Sequence, residues 1–363
     1  MRFLGLKIID IYIIKKFLGT FFFAIIIIIS IAIVFDVAEK VEDFLEKEAP
    51  FRAIAFDYYL NWIPYFANLF SYLFTFIAVI FFTSKLAANT EIIAILSSGV
   101  SFKRLMYPYF LSALVIAIMS FVLMAYIIPP ANVIRKDFEY KYIKSPIRNT
   151  DKNIHRQIEP GVFIYMKSYN TTNDVGYKFS IEKFEEGVLK SKLISDYVKW
   201  DTSISKWSIR NYYIRDIDSL SEKITTGSRV DTTLNMFPKE FKLMKNHTEI
   251  MTLPELNEYI EQQYMKGADN VVELLIDKYQ RFAYPFSTFI LTLIGVSLSS
   301  RKVRGGIGMH IGLGLGLSFS FILFMRFTTM FAISGSMNPL MAVWLPNIIY
   351  TIISIYLYRL APK

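Results

Sequence analysis

Six stretches of this chain carry no charged residue over 19 or more positions: Phe17–Phe35, Tyr58–Ser84, Leu105–Ile134, Phe282–Ser300, Gly305–Met325 and Phe327–Tyr358. At about 1.5 Å per residue the shortest makes a helix of roughly 28 Å, close to the hydrocarbon thickness of a bilayer. Lipid offers no partner to backbone N–H and C=O groups, so uncharged stretches of this length fold as membrane-spanning helices. In the last stretch, Ile333-Ser-Gly-Ser-Met-Asn-Pro339 reads as a turn, which leaves a helix from about Leu340. The spans therefore fall at about 17–36, 60–84, 105–130, 282–300, 305–326 and 340–358, in two groups of three around a polar block. Composition agrees: 53% hydrophobic, 20% charged and a mean hydropathy of +0.37, against the 45–50% and 25% of soluble domains.

The chain carries a formal charge of +9, and the placement of that charge gives the orientation. With the N-terminus in the cytoplasm, the inside segments hold Arg2, Lys7, Lys15, Lys16, Lys85, Lys103, Arg104, Arg301, Lys302, Arg304, Arg359 and Lys363, against Asp10 and Glu91 alone. That side totals +10 and the other −1, a positive-inside pattern with both termini cytoplasmic. The loop after the first span is acidic, from Asp36 to Glu48. The basic excess thus belongs to the membrane, and nucleic acid is not an expected partner. Residues 17–35 are too long for a signal-peptide core and no small-x-small site follows. Residues 3–14 are apolar but carry Lys7 and Asp10, which predicts an interfacial helix leading into the first span.

The polar block, 135–281, changes period. Gly161–Lys167, Tyr177–Phe184, Val188–Trp200 and Trp207–Ile217 read as strands, with Tyr177, Phe179 and Ile181 expected on one face. Short strands at this spacing predict an antiparallel sandwich or a partly open barrel. An interior open at an edge would hold a lipid chain, whereas a packed interior would leave the domain a docking role; both readings stand at this point. The block closes with Thr252-Leu-Pro-Glu255, a capping box with Pro254 early in its helix. The chain thus divides into a membrane half at 1–134, a β domain at 135–250, linker helices at 251–281 and a second membrane half at 282–363.

No enzyme signature is found. There is no G-x-x-x-x-G-K-[ST], so the chain binds no ATP by a P-loop, and no G-x-S-x-G or H-E-x-x-H. Cys is absent, which removes disulfides and thiolate chemistry. His155, His247 and His310 are too dispersed for a zinc site, and His310 reads as a packing or interfacial residue.

Two other segments stand out. Between the second and third spans, a short apolar helix at about 90–98 carries Glu91, Ile92, Ile93, Ile95 and Leu96. Asn89 or Thr90 is the expected cap and Gly99 the terminator. Its apolar residues need a surface: either the membrane, or a groove in a cytoplasmic partner that this helix couples to the spans. In the fifth span Gly308, Gly312 and Gly316 form a small-residue stripe, fit for packing within the chain or for a subunit interface that opens and closes.

Several motifs in order carry a resemblance over essentially the whole chain. They are Ile9-Asp10-Ile-Tyr12-Ile-Ile-Lys-Lys-Phe17, Asn89-Thr-Glu91-Ile-Ile-Ala-Ile-Leu-Ser-Ser-Gly99, Pro129-Pro130, Met251-Thr-Leu-Pro-Glu-Leu256 and Trp344-Leu-Pro-Asn347. The chain resembles the lipopolysaccharide-export permeases of the LptF/LptG type. That resemblance implies an inner-membrane subunit with six spans and a periplasmic β-jellyroll, paired with a second related permease or with itself. It implies a dimer of cytoplasmic ABC ATPase subunits that holds ATP and magnesium, this chain binding no cofactor or metal. It implies a periplasmic bridge protein, and lipopolysaccharide as the molecule extracted. Glu91 matches the family's coupling glutamate, and Ile92, Ile95, Leu96 and Gly99 complete that helix. Arg135 matches a basic position for the phosphorylated lipid head, with Lys136 beside it. Where the family can carry a basic residue at the outer end of the first span, this chain has Asp36, with Lys40 further out. Phe179, Ile181 and Tyr197 are the expected acyl-chain contacts in the β domain. Two rival readings are a permease for another lipid or lipoprotein, which predicts two separate outside insertions, and a membrane-anchored periplasmic scaffold or enzyme, which predicts a polar catalytic cluster within 135–281.

Overall fold

A computed structural model describes residues 6–143, 152–218, 221–241, 247–265, 267–268, 270–300 and 306–361. The chain forms two compact units, residues 1–143, 249–253 and 272–363 in one, 144–248 and 254–271 in the other. Among the described residues six helices are long and apolar enough to span a bilayer, three before the inserted sheet and three after it.

The first span, α1 (Ile8–Glu46), is 39 residues long, or roughly 58 Å, so it protrudes well beyond a bilayer. The segment expected to lead into the first span is helical and continuous with it: from Ile8 onward those residues are the first turns of α1, and residues 3–5 lie outside the described part. The helix starts where Asp10 accepts the backbone N–H of Lys7 at 2.8 Å, and no proline follows to break it. The second span is made of α2 (Leu60–Leu69) and α3 (Ser71–Ala88), jointed at Phe70 (φ −102°). The short helix α4 (Glu91–Ser97) follows, then α5 (Phe102–Val122) and α6 (Ile128–Tyr142). The helix does not stop at Pro129-Pro130, where the third span is expected to end. A π-helical segment, Leu123–Ile127, widens the turn against which the proline rings would clash, and the helix continues to Tyr142.

Helix α1 buries Ile13, Phe17, Phe21, Ile25 and Ile29, one every four residues, against Val79, Phe82 and Leu86 of α3 and Leu105, Met106 and Tyr109 of α5. Helix α3 shows its other face, Phe76 and Ile80, to a second core. After the inserted unit and its helix α7 (Leu253–Met265), that core is completed by α8 (Val271–Ser299), α9 (Gly306–Ile333) and α10 (Pro339–Leu360). A Cβ on Gly295 of α8 would lie 2.8 Å from Val79, so the glycine lets the two halves meet. The large side chains that remain exposed, such as Phe23, Ile26 and Phe35 on α1 and Phe319 and Phe327 on α9, have the composition of a lipid-facing surface.

The strands of the inserted unit form an antiparallel sheet, as expected, in one six-stranded meander in chain order: β1 (Lys152–Glu159), β2 (Val162–Asn170), β3 (Val175–Glu185), β4 (Val188–Asp201), β5 (Lys206–Ile217) and β6 (Glu222–Thr232). At the β1–β2 turn Gly161 has φ +76°, and a Cβ there would strike the Phe184 carbonyl at 2.5 Å. One face packs Ile164, Met166, Phe179, Ile181, Val198, Trp207 and Ile209 with Met236 and Phe241. Trp207 is fully buried and donates its indole N–H to the Met236 carbonyl at 2.9 Å. Beside it Tyr169 stacks on Phe241 at 4.3 Å, and burial pushes the Tyr169 phenol well above its ordinary range. The interior is therefore packed rather than hollow.

The expected single face of Tyr177, Phe179 and Ile181 is not formed. Lys178 has φ +53° and Asn211 φ +50°, and Asp196 lies between them in register on β4. Across this line the side that faces the core changes parity: Gly176, Val198 and Ile209 share a cross-strand row on the core side, and so do Phe179, Ser195 and Tyr212. Tyr177, next to Gly176, therefore points outward and is exposed.

Candidate coupling and lipid-head sites

Helix α4 begins at Glu91, as expected, with Thr90 at its N-cap position, but neither expected side chain makes a capping hydrogen bond. Thr90 is in the left-handed region (φ +62°) and its hydroxyl donates to the Asn89 carbonyl instead. The Asn89 amide donates to Glu91 Oε1 at 3.2 Å, and Tyr12 of α1 donates its hydroxyl to Glu91 Oε2 at 2.9 Å. Gly99 (φ +86°) ends the helix with its N–H on the Leu96 carbonyl, the conformation that favours glycine after a helix. The expected coupling residues divide. Ile92 is 1% exposed and belongs to the α1–α3–α5 core, with Ile95 and Leu96 packed against it. The outward face is Ile93, 49% exposed, with Ala94, Ser97 and Ser98. Ile92 is thus a packing residue, because its side chain already has a surface inside the chain.

At the same end of the bundle, the Asp10 carboxylate accepts both guanidinium nitrogens of Arg104, at 2.7 and 2.6 Å. Asp10 is fully buried, and the two-pronged pair satisfies its charge.

The opposite end carries the basic pair expected from the sequence. Arg135 and Lys136 lie on α6 with side chains 7% and 9% exposed. The two cations share one carboxylate, Glu249, at 3.4 and 3.3 Å, and Glu139 lies 3.5 Å from Arg135 Nε. The Arg135 guanidinium also covers the Tyr65 ring at 4.8 Å. Its Nε is buried without a hydrogen-bond acceptor among the described residues. Nothing in the sequence pattern paired Glu249 with these residues; it is 114 positions from Arg135. Further along the second half, Arg326 of α9 is exposed and forms no ion pair among the described residues.

Lys40 is bonded to Asp36 and to the Tyr58 hydroxyl, and Tyr58 and Tyr59 donate to Asp36 Oδ2 at 3.1 and 3.0 Å. This expected head-group cation is therefore already neutralised.

In the sheet, Phe179 and Ile181 are buried in the core while Tyr197 lies on the outward face, in register with Tyr177 and Arg210. The three residues do not form one surface. The glycine stripe does: Gly308, Gly312 and Gly316 are exposed with open space where each Cβ would be, and Gly314, behind them, packs on Ile80. Packing within the chain therefore uses Gly314 rather than the stripe. The Arg301–Gly305 segment and the His310 side chain lie outside the described residues.

Among the described residues no group of acids and histidines could hold a metal ion. Two sets of three helices long and apolar enough to span a membrane, one inserted sheet unit and a short helix between spans describe a multi-pass membrane protein. The family model of the lipopolysaccharide export system permease LptF/LptG matches residues 11–360, and the chain belongs to that family. No curated protein matches the chain significantly.

Proposed function

We propose that this chain is one of two permease subunits of an ATP-driven exporter that lifts lipopolysaccharide out of the inner membrane and passes it to a periplasmic bridge. In this reading both termini and α4 are cytoplasmic and the sheet unit is periplasmic, as the +10 charge asymmetry favours. The second permease is a related chain or a second copy, and the exposed glycine stripe of α9 is the surface it meets or parts from. A separate cytoplasmic ATPase dimer holds ATP and magnesium and engages the Ile93 face of α4.

The observation that carries this reading is the pairing of an outward α4 face, Ile93 with Glu91 beside it, with a buried cationic site at the other end of the bundle. A phosphorylated head group would meet the exposed guanidinium of Arg326, and would reach Arg135 and Lys136 by displacing Glu249 or Glu139. Charges of this kind are costly near lipid unless a partner answers them. The sheet unit, packed inside, would bind acyl chains only by opening its core at Phe179 and Ile181.

Purification from membranes tests the assignment: an ABC ATPase, a permease and lipopolysaccharide are expected to accompany the chain. Glu91→Lys is expected to abolish ATP-driven release of the lipid, since it sets like charge against a basic partner and opposes the α4 dipole. Full release in that variant would refute coupling through this helix.

A further inference from the structure

Helix α4 lies in the chain between the second and third spans, yet its only charged residue is bonded to the first. The Tyr12 hydroxyl reaches Glu91 across 79 residues of sequence. Two residues before Tyr12, Asp10 holds Arg104 in the first turn of α5 through two hydrogen bonds. Between these links, Ile13 of α1, Ile92 of α4 and Leu105 of α5 are buried in a common core. The ends of α1, α4 and α5 are thus joined by one ion pair, one carboxylate–phenol bond and an apolar contact between them.

The two links differ in exposure. Asp10 is buried and its pair is a fixed joint, while the Tyr12–Glu91 bond lies at the surface, beside the outward face of α4. A carboxylate has about four acceptor positions. Glu91 uses one for Tyr12 and one for Asn89, so a cation from a partner can be added without displacing the phenol. Lys16, 5.9 Å from the Tyr12 ring centre, keeps positive charge on the same side of α1.

We propose that Tyr12 is a positioning residue for Glu91, holding the coupling carboxylate on the first span so that displacement of α4 is delivered to α1 as well as to the helices next to α4 in the chain. The inference rests on the coupling role proposed for α4. It assigns the path by which that role is exerted, and it makes the phenol hydroxyl, rather than the ring, the working group.

The test uses the purified complex with its ATPase in lipid nanodiscs, and measures lipopolysaccharide released per ATP hydrolysed. Tyr12→Phe keeps the ring and removes one hydroxyl. The ATPase is expected to co-purify and to keep its basal rate, while release per ATP falls about three- to tenfold, the range a single hydrogen bond sets. Glu91→Ala removes the same bond from the other side, so Tyr12→Phe/Glu91→Ala should match Glu91→Ala alone within about twofold. Multiplying effects in the double variant, an unchanged ratio in Tyr12→Phe, or loss of the ATPase from that variant would each overturn the proposal. Glu91→Lys separates the two readings. Lost transport there with normal Tyr12→Phe refutes only the Tyr12 link, and full transport there refutes coupling at α4 altogether.

Discussion

Ile92 and Ile93 are adjacent and identical in the sequence, and the structure gives them opposite roles. Ile92 is 1% exposed within the α1–α3–α5 core and Ile93 is 49% exposed. Ile92→Ala removes three carbon groups from a packed site. At about 0.8 kcal/mol per buried CH₂ the transfer cost is roughly 2.4 kcal/mol. The cavity left behind raises the total to about 2.5–4 kcal/mol, within the usual range for buried isoleucine. Ile93→Ala removes the same atoms from a half-exposed site, so its cost is about 1 kcal/mol or less. Thermal unfolding of the permease in detergent, without the ATPase, is therefore expected to show a clear loss of stability for Ile92→Ala and little change for Ile93→Ala. Retention of the ATPase by an affinity-tagged permease should show the reverse: Ile93→Ala or Ile93→Asp weakens it, whereas Ile92→Ala retains it in whatever fraction stays folded. Equal melting of the two variants, or ATPase loss confined to Ile92→Ala, would refute the placement of the partner face.

Topology follows from labelling, which is clean because the chain has no native cysteine: Thr172→Cys should react with an impermeant maleimide in spheroplasts and Ser98→Cys should not, the opposite result inverting the proposed orientation. Glu249→Gln removes the carboxylate shared by Arg135 and Lys136; with both cations buried and Glu139 the remaining acid beside Arg135, stability should fall by about 2–3 kcal/mol. More anionic lipid should then co-purify, as a phosphate assay would show, and an unchanged melting temperature would mean that the Glu249 contacts contribute nothing.

The spans could be read from the sequence because hydrocarbon tolerates so few charges that their absence is itself a signal, and the four inner strands could be read because each has a core side. Strands β1 and β6 could not. They are the edges of the sheet, and β6, Glu222–Thr232, is exposed along most of its length, so no alternation marks it. The change of facing at Lys178 and Asn211 was equally hidden, since a lysine in the left-handed region looks like any strand lysine and the period-two reading of Tyr177 and Phe179 runs straight through it. In α4, apolar residues at 92, 93, 95 and 96 fall within an arc of about 160°, so periodicity marks one apolar side but does not show that Ile93, at its edge, is left outside. The partners Tyr12, Arg104 and Glu249 were beyond reach for another reason. They meet Glu91, Asp10 and Arg135 across 79, 94 and 114 residues, and only the packing of the spans brings them together.

Those long-range pairs change what the basic residues can do. Counted along the sequence, Lys40, Arg135 and Lys136 are three cations near one end of the bundle. In the fold Lys40 answers Asp36 and the Tyr58 hydroxyl, and Arg135 and Lys136 answer Glu139 and Glu249, so the formal charge of Lys40, Arg135, Lys136, Asp36, Glu139 and Glu249 is zero. The acid at position 36 that departs from the family pattern is thus more than a missing site, since it also cancels the lysine one turn away. A phosphate approaching this end in the proposed transport cycle would have to break a buried pair or use what the pairs leave over. What they leave among the described residues is the exposed guanidinium of Arg326, since the buried Nε of Arg135 already faces Glu139 at 3.5 Å. An anion that displaced Glu249 from Arg135 and Lys136 would in turn be displaced when that pair re-forms, and a transporter must release what it binds.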